Sequence, residues 1–101
     1  MTPIANALRL IRVFHDLSQT ELADELELSK SFISEIESGV KTPTIDLLNK
    51  YSKHFDIPVS SLMFFSEAVE SGNTKVSDKI RGQVSNKIIA LLEWLASKEK
   101  D

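Results

Sequence analysis

The sequence has no cysteine, little positive charge and no long apolar segment. Without cysteine the chain can form no disulfide framework, no thiolate zinc site and no cysteine nucleophile. Its longest uninterrupted apolar run, residues 88–92, is far shorter than the roughly 20 residues needed to span a bilayer. No basic segment followed by an apolar core opens the chain, so we expect no signal peptide and no membrane partner. The sequence therefore predicts a cytoplasmic protein.

The charge limits the possible partners. A total of 12 Lys and Arg residues against 15 Asp and Glu residues gives a net charge of −3 and a pI near 5.4. Taken alone, this balance argues against a polyanion such as a nucleic acid as partner. Six of the basic and nine of the acidic residues lie in residues 1–57, which therefore carry the whole net charge. The 42% hydrophobic and 27% charged composition is otherwise that of one globular domain.

Apolar residues recur at helical spacing throughout the chain, and no strand-like alternation persists. Ser18 and Glu21 have the spacing of a capping box, Ser29 is a second N-cap, and Gly39 is a C-cap. The five helices predicted first cover roughly residues 3–16, 19–26, 30–38, 44–55 and 60–65. A polar linker over residues 66–76 and one long helix over 77–97 follow. The prediction is an all-α protein with domains at 1–65 and 77–101.

Two of these short helices have the spacing of a helix-turn-helix. The residues Glu27, Leu28 and Ser29 separate them, and apolar residues on both sides are placed to hold a steep angle. The outer face of the second of the two helices is polar, at positions 30, 31, 34, 35 and 38. In DNA-binding proteins with this spacing, that helix enters the major groove.

The segments 18–23 and 28–39, together with Pro43, resemble the phage-repressor-like (Xre/Cro) helix-turn-helix family, and the similarity covers residues 4–65. The resemblance implies a five-helix, lambda-repressor-like domain that binds double-stranded DNA. By this resemblance Lys30, Ser31 and Glu35 match the main base-reading positions, with Ser29, Ser34 and Ser38 beside them. Gln19, Lys41 and Thr42 match phosphate contacts. Arg12 and Glu37 match a buried ion pair between the first and third helices.

The sequence departs from the family at two features. Glu27 stands where the family usually has glycine, so we expect it to adopt a positive φ at a cost of about 1 kcal/mol. The acidity is the second departure, although Asp24, Glu25 and Glu27 lie beyond the predicted reading face. Weak nonspecific binding with a shallow salt dependence is therefore expected.

The C-terminal helix has an apolar face that spans an arc of about 160°. We expect this face to form a homodimer, with packing against the chain's own domain as the alternative. Gly82 is placed to kink the helix or delay its start. The predicted dimerisation residues are Ile80, Val84, Ile88, Leu91, Leu92, Trp94 and Leu95.

These features predict a sequence-specific transcriptional regulator, most simply a repressor, that binds a pseudo-palindromic operator as a homodimer. The alternative is an antitoxin or other interaction module whose C-terminal helix binds a partner protein and whose DNA binding is autoregulatory. A controller of a restriction–modification system would share the same DNA mechanism. His15 and His54 stand alone, so no metal site is expected, and no cofactor is implied. The chain has no phosphate-binding loop or nucleophile elbow, so we do not expect an enzyme.

Overall fold

The computed structural model describes residues 3–99, with Glu99 described by its backbone alone. Residues 1–2 of the first predicted domain and residues 100–101 of the second lie outside the described residues. Residues 3–99 contain helices and no strand, which confirms the all-α prediction. In this part of the chain no helix is long and apolar enough to cross a bilayer. The helices are α1 (Pro3–Phe14), α2 (Gln19–Leu26), α3 (Lys30–Ser38), α4 (Ile45–Phe55), α5 (Val59–Ser71), α6 (Asp78–Arg81) and α7 (Asn86–Glu99).

Side-chain caps fix where α2, α3 and α4 begin. The hydroxyls of Ser18, Ser29 and Thr44 each accept a hydrogen bond from the backbone N–H three residues later, at 3.0, 3.1 and 3.1 Å. The Ser18 backbone N–H also donates to the Glu21 carboxylate at 2.9 Å, which completes the predicted capping box. Because the first N–H groups of a helix have no partner within it, these bonds favour a helix start at these residues.

Several helix ends use a left-handed residue, and three of these are acidic. Glu27 ends α2 with φ 60°, as its position in the turn predicted. Asp16 and Asp56, with φ 57° and 55°, do the same after α1 and α4 without having been predicted. Gly39 ends α3 at φ 86°, where the absence of a Cβ removes the steric cost. Aspartate tolerates this region better than glutamate, so the strain is greatest at Glu27.

The core forms around α1, whose Ala7, Leu8 and Ile11 are completely buried. Helices α3 and α5 pack against α1, and α2 packs against α3. Helix α7 lies across α5 and α1, so the C-terminal segment belongs to the same core as the helix-turn-helix. The orientation of α3 is thus set by its packing on α1 and α2.

The segment between residues 66 and 85 differs from its prediction. Helix α5 continues through Ser71, and Ser66 and Ala68 are buried where a linker was expected over residues 66–76. The predicted long helix over 77–97 is instead divided into α6 and α7 by residues 82–85. Its break follows from Gly82, which ends α6, and from Ser85, whose hydroxyl accepts from the Ile88 N–H at 3.3 Å and begins α7. The separation lets α7 turn its apolar face into the core.

Candidate nucleic-acid interface

The turn between α2 and α3 is fixed by a backbone hydrogen bond and by buried apolar side chains on both helices. The Leu28 N–H donates to the Ala23 carbonyl at 2.8 Å, which closes the end of α2. Leu22 and Ala23 on α2, with Ile33 and Ile36 on α3, are buried between the two helices and the core. Residues 19–38 therefore form a rigid helix-turn-helix whose α3 has one buried and one open face.

The open face of α3 has the polar character expected of a surface that reads DNA. Lys30, Ser31, Ser34 and Ser38 are exposed, and Glu35 is half-buried. Lysine donates hydrogen bonds, a hydroxyl both donates and accepts, and a carboxylate accepts, so the face can bind either kind of base edge. The structure thus brings together the residues that were predicted to contact bases.

A buried ion pair links α3 to the rest of the domain. Glu37 is 2% exposed and accepts from Arg12 twice, with Nε at 2.7 Å and Nη2 at 3.0 Å. A third bond comes from the Gln19 amide at 3.1 Å, and Arg12 also donates to the Leu17 carbonyl at 2.7 Å. The network holds the start of α2 and the end of α3 in fixed positions on α1. Gln19 retains a second amide hydrogen, which a phosphate oxygen can accept.

The loop after α3 returns to that helix through Lys41. Its backbone N–H donates to the Glu35 carbonyl at 3.1 Å. Its ammonium group lies 3.5 Å from the Glu35 carboxylate and 5.3 Å from the centre of the Phe32 ring. Thr42 follows on the same exposed loop. Two residues that were predicted to contact DNA separately, Lys41 and Glu35, therefore contact each other.

Two of the predicted serines already have structural hydrogen bonds. The Ser29 hydroxyl oxygen accepts from the Phe32 N–H in its capping role. The Ser38 hydroxyl donates to the Glu35 carbonyl at 3.2 Å. Ser29 can still donate, and Ser38 can still accept, so each retains hydrogen-bonding capacity for DNA.

Two exposed apolar side chains beside this loop were missed by the sequence reasoning. Val40 is 73% and Ile45 is 67% exposed, although both are strongly apolar. The position of Val40 carried a signal, because a residue between the C-cap Gly39 and the N-cap Thr44 has no helix face on which to be buried. Ile45 is the first residue of α4, and its exposure carried no such signal. Apolar side chains of this kind can contact thymine methyl groups.

The acidic end of α2 is tied to α4 and not to α3. Glu25 pairs with His54, and the Lys50 ammonium donates to the Leu26 carbonyl at 3.2 Å. Together with Glu27 these side chains line a shallow groove of about 280 Å³. Glu25 and the end of α2 are thus bonded to α4, away from the open face of α3.

The predicted dimerisation residues divide into two groups. Ile88, Leu91 and Leu92 are at most 1% exposed and belong to the core of the same chain, so they offer no surface to a partner. The remaining four, which are Ile80, Val84, Trp94 and Leu95, are half-buried. The ring centre of Trp94 lies 5.4 Å from that of Phe14 in an edge-to-face contact, and the Lys98 ammonium lies 4.6 Å from the centre of the Trp94 ring.

The two histidines lie near each other without forming a metal centre. His15 Nδ1 is 2.7 Å from the Ile11 carbonyl, and its ring packs against Phe55. His54 is paired with Glu25. Among residues 3–99 no group of three or more His, Asp or Glu side chains is placed to hold a metal ion.

The fold and the open face of α3 define a helix-turn-helix protein of the DNA-binding class. Residues 8–62, more than half of the chain, match the helix-turn-helix family. The chain belongs to this family, whose members are DNA-binding transcriptional regulators, and the resemblance to its phage-repressor-like group is confirmed.

Relatives of the chain include a transcriptional repressor and a transcriptional activator. It is 26% identical over 97 residues to the cryptic phage CTXphi transcriptional repressor RstR of Vibrio cholerae, covering 96% of this chain and 78% of that one. Over 89 residues it is 28% identical to the transcriptional activator BcrR of Enterococcus faecalis, covering 88% of this chain and 43% of the relative. It is 31% identical over 62 residues to an uncharacterised helix-turn-helix regulator of Methanocaldococcus jannaschii, covering 61% of this chain and 94% of that protein. No solved structure matches the chain.

Proposed function

We propose that the chain is a sequence-specific transcriptional repressor that binds a pseudo-palindromic operator as a homodimer. The observation that carries this proposal is the division of α3 into a buried apolar face and an open face with Lys30, Ser31 and Ser34. The direction of regulation is supported by the similarity to a phage repressor, which extends over 96% of this chain.

In the proposed mechanism, α3 lies in the major groove and reads the base edges. Lys30 donates to guanine O6 and N7 or to a phosphate, and Ser31 and Ser34 bind bases of either kind. Phosphate contacts from Gln19, Lys41 and Thr42 flank α3 and fix its register on the duplex. The Arg12–Glu37 network keeps Gln19 at a fixed distance from α3.

A homodimer supplies the specificity that one helix lacks. A single recognition helix reads only a few base pairs, and a two-fold dimer doubles the contacts over a palindromic site. The half-buried residues Ile80, Val84, Trp94 and Leu95 form the proposed dimer contact. Half-site centres about 34 Å apart are then expected, which is one turn of the DNA helix.

Selection of bound sequences from a random DNA pool tests the proposed function directly. A pseudo-palindrome is the expected result, and Lys30→Ala should weaken operator binding by about tenfold or more and relax the preference at one position of each half-site. Lys75→Ala, an exposed lysine outside the helix-turn-helix, is the matched control and should leave operator affinity unchanged. Recovery of no preferred sequence would contradict sequence-specific recognition.

The dimer is tested by sedimentation with and without operator DNA. Val84→Asp should dissociate the protein and weaken operator binding, because it places an unpaired charge in an apolar contact. Wild-type protein that binds an asymmetric half-site as a single chain would refute the dimer. Protein that purifies with a second small protein on its C-terminal segment would instead favour the interaction module.

A further inference from the structure

The ion pair between Lys41 and Glu35 joins a residue that the proposed mechanism places on a phosphate to one that the family resemblance matches to base reading. The ammonium nitrogen of Lys41 is 3.5 Å from Oε1 of Glu35, and the two side chains are 51% and 40% exposed. Lys41 lies in the exposed loop after α3, which is proposed to contact phosphates, whereas Glu35 lies on the open face of α3. The pair thus lies on the surface that is proposed to meet DNA.

Two further contacts hold Lys41 against α3. Its backbone N–H donates to the Glu35 carbonyl at 3.1 Å, so the loop leaves the helix at a fixed place. Its ammonium also lies 5.3 Å from the centre of the Phe32 ring, a cation–π contact. Without DNA, the charge of Lys41 is therefore directed toward the helix and is locally neutralised by Glu35.

We propose that Glu35 is a specificity-determining residue that acts by holding Lys41, and that this pairing suppresses binding to non-operator DNA. The inference rests on the proposed function. On nonspecific DNA Lys41 stays paired and contributes little to phosphate binding. On an operator that presents a cytosine amino group to Glu35, the carboxylate accepts that donor and Lys41 is released to a phosphate.

The pairing has a measurable consequence in salt. Each lysine that neutralises a phosphate of duplex DNA contributes about −0.9 to the slope of log K against log salt concentration. A lysine neutralised by Glu35 contributes little to that slope. Glu35→Gln, which keeps the size of the side chain, should therefore steepen the slope on a mixed-sequence duplex by about 0.9. Over a fourfold increase in salt, the variant should lose roughly 3.5-fold more affinity than the wild type.

Fluorescence anisotropy with a mixed-sequence duplex and with the selected operator, each over a salt series, measures these slopes. We expect Glu35→Gln to bind the mixed duplex several-fold more tightly at low salt and to lower the ratio of operator to nonspecific affinity. Glu93→Gln is the matched control, because it removes the same charge from another exposed pair, with Arg81 at 3.2 Å. It should change neither slope nor ratio. A Glu35→Gln slope equal to that of the wild type would overturn the inference.

A second pair of variants separates holding of Lys41 from direct repulsion of phosphates. If Glu35 acts through Lys41, Glu35→Gln should leave the slope unchanged in a Lys41→Gln background. An equal steepening in both backgrounds would show direct repulsion and would overturn the inference while leaving the proposed function intact. Wild-type protein that binds neither duplex would overturn both. Glu35 is partly exposed and its structural bond to Lys41 comes from the backbone, so the variants retain the helix and its loop.

Discussion

Replacing Glu37 with glutamine removes the charge at the centre of the network that positions α3. The side chain is 2% exposed and accepts three hydrogen bonds, two from Arg12 and one from Gln19. Glutamine has almost the same size, but it has a single acceptor oxygen and brings an amide group toward the guanidinium. Removing one partner of a buried ion pair costs about 3–5 kcal/mol, because the other charge stays buried without compensation.

The expected loss for Glu37→Gln lies at the lower end of this range. Arg12 keeps 14% of its surface exposed and keeps its bond to the Leu17 carbonyl, so water and that carbonyl compensate part of its charge. We therefore expect a loss of about 3 kcal/mol. Domains of this size have total stabilities of about 5–15 kcal/mol, so the variant should still fold after this loss.

Urea unfolding followed by circular dichroism measures the effect. With a slope of about 1.5 kcal/mol per molar urea, the midpoint should fall by about 2 M while the slope itself stays constant. Glu93→Gln, in an exposed pair, should cost less than about 1 kcal/mol and serves as the control. A loss below about 1 kcal/mol for Glu37→Gln would refute the claim that Glu37 compensates the partly buried charge of Arg12.

A double variant tests whether the loss of stability comes from an unpaired buried charge. Changing both Arg12 and Glu37 to leucine leaves no unpaired charge, so most of the lost stability should return. Gln19 would nevertheless lose the carboxylate that orients its amide. The double variant should therefore recover stability without recovering full operator affinity. Recovery of both would mean that the network has no positioning role.

Three further changes test single features of the fold. Glu27→Gly should raise the free energy of unfolding by about 0.5–1 kcal/mol, because glycine adopts a positive φ without strain. Glu27→Ala should give no such gain. Equal free energies for the two variants in urea unfolding would contradict the strain at Glu27. Lys50→Met should lower stability by about 1 kcal/mol, since the Leu26 carbonyl at the end of α2 loses its donor, and an unchanged urea midpoint would exclude a capping role. Tyr51→Phe should stabilise the protein by about 1 kcal/mol, because within residues 3–99 the buried hydroxyl has no hydrogen-bond partner. Burial, and then the charge of Glu37, raises the pKa of Tyr51. Wild-type stability should therefore fall above about pH 10, because the tyrosine then ionises in the unfolded chain but not in the folded one. Tyr51→Phe should lack this loss, and identical pH profiles of stability for the two proteins would contradict the prediction.

The helix-turn-helix was predictable because its determinants are local. A capping serine, a left-handed turn residue and the buried positions of a short helix are fixed within a few residues of one another. Ser18, Ser29 and Gly39 accordingly mark helix ends in the structure as they do in the sequence. The Arg12–Glu37 pair spans 25 positions, and only the family resemblance, not spacing, pointed to it.

The C-terminal segment was less predictable because its structure depends on distant contacts. Polar residues after position 65 suggested a linker, but Ser66 and Ala68 face the core, where small side chains allow close packing. A polar composition cannot distinguish a helix that packs through its small side chains from an exposed linker. Similarly, the apolar arc that favoured a dimer is filled in part by the chain's own core, because α7 packs on α1 and α5. Periodicity identifies a buried face without identifying what covers it.

The acidic charge of the N-terminal part shows the same dependence on tertiary contacts. Counted along the sequence, nine acidic residues oppose a DNA-binding role. In the fold several of them have a specific partner, and two of these partners, Arg12 and Lys41, are cations that compensate the charge. Glu21 accepts from Ser18, Glu25 pairs with His54, Glu35 with Lys41 and Glu37 with Arg12. Hydrogen bonds from Ser18 lower the pKa of Glu21, so this carboxylate stays ionised but is used by the helix cap. Since pairing also occupies basic groups, the same contacts that reduce repulsion reduce the number of lysines free to bind phosphates. The expected weak nonspecific binding and the reduced repulsion would then share one physical origin, the pair between Glu35 and Lys41, and the salt slope of the Glu35→Gln variant tests this.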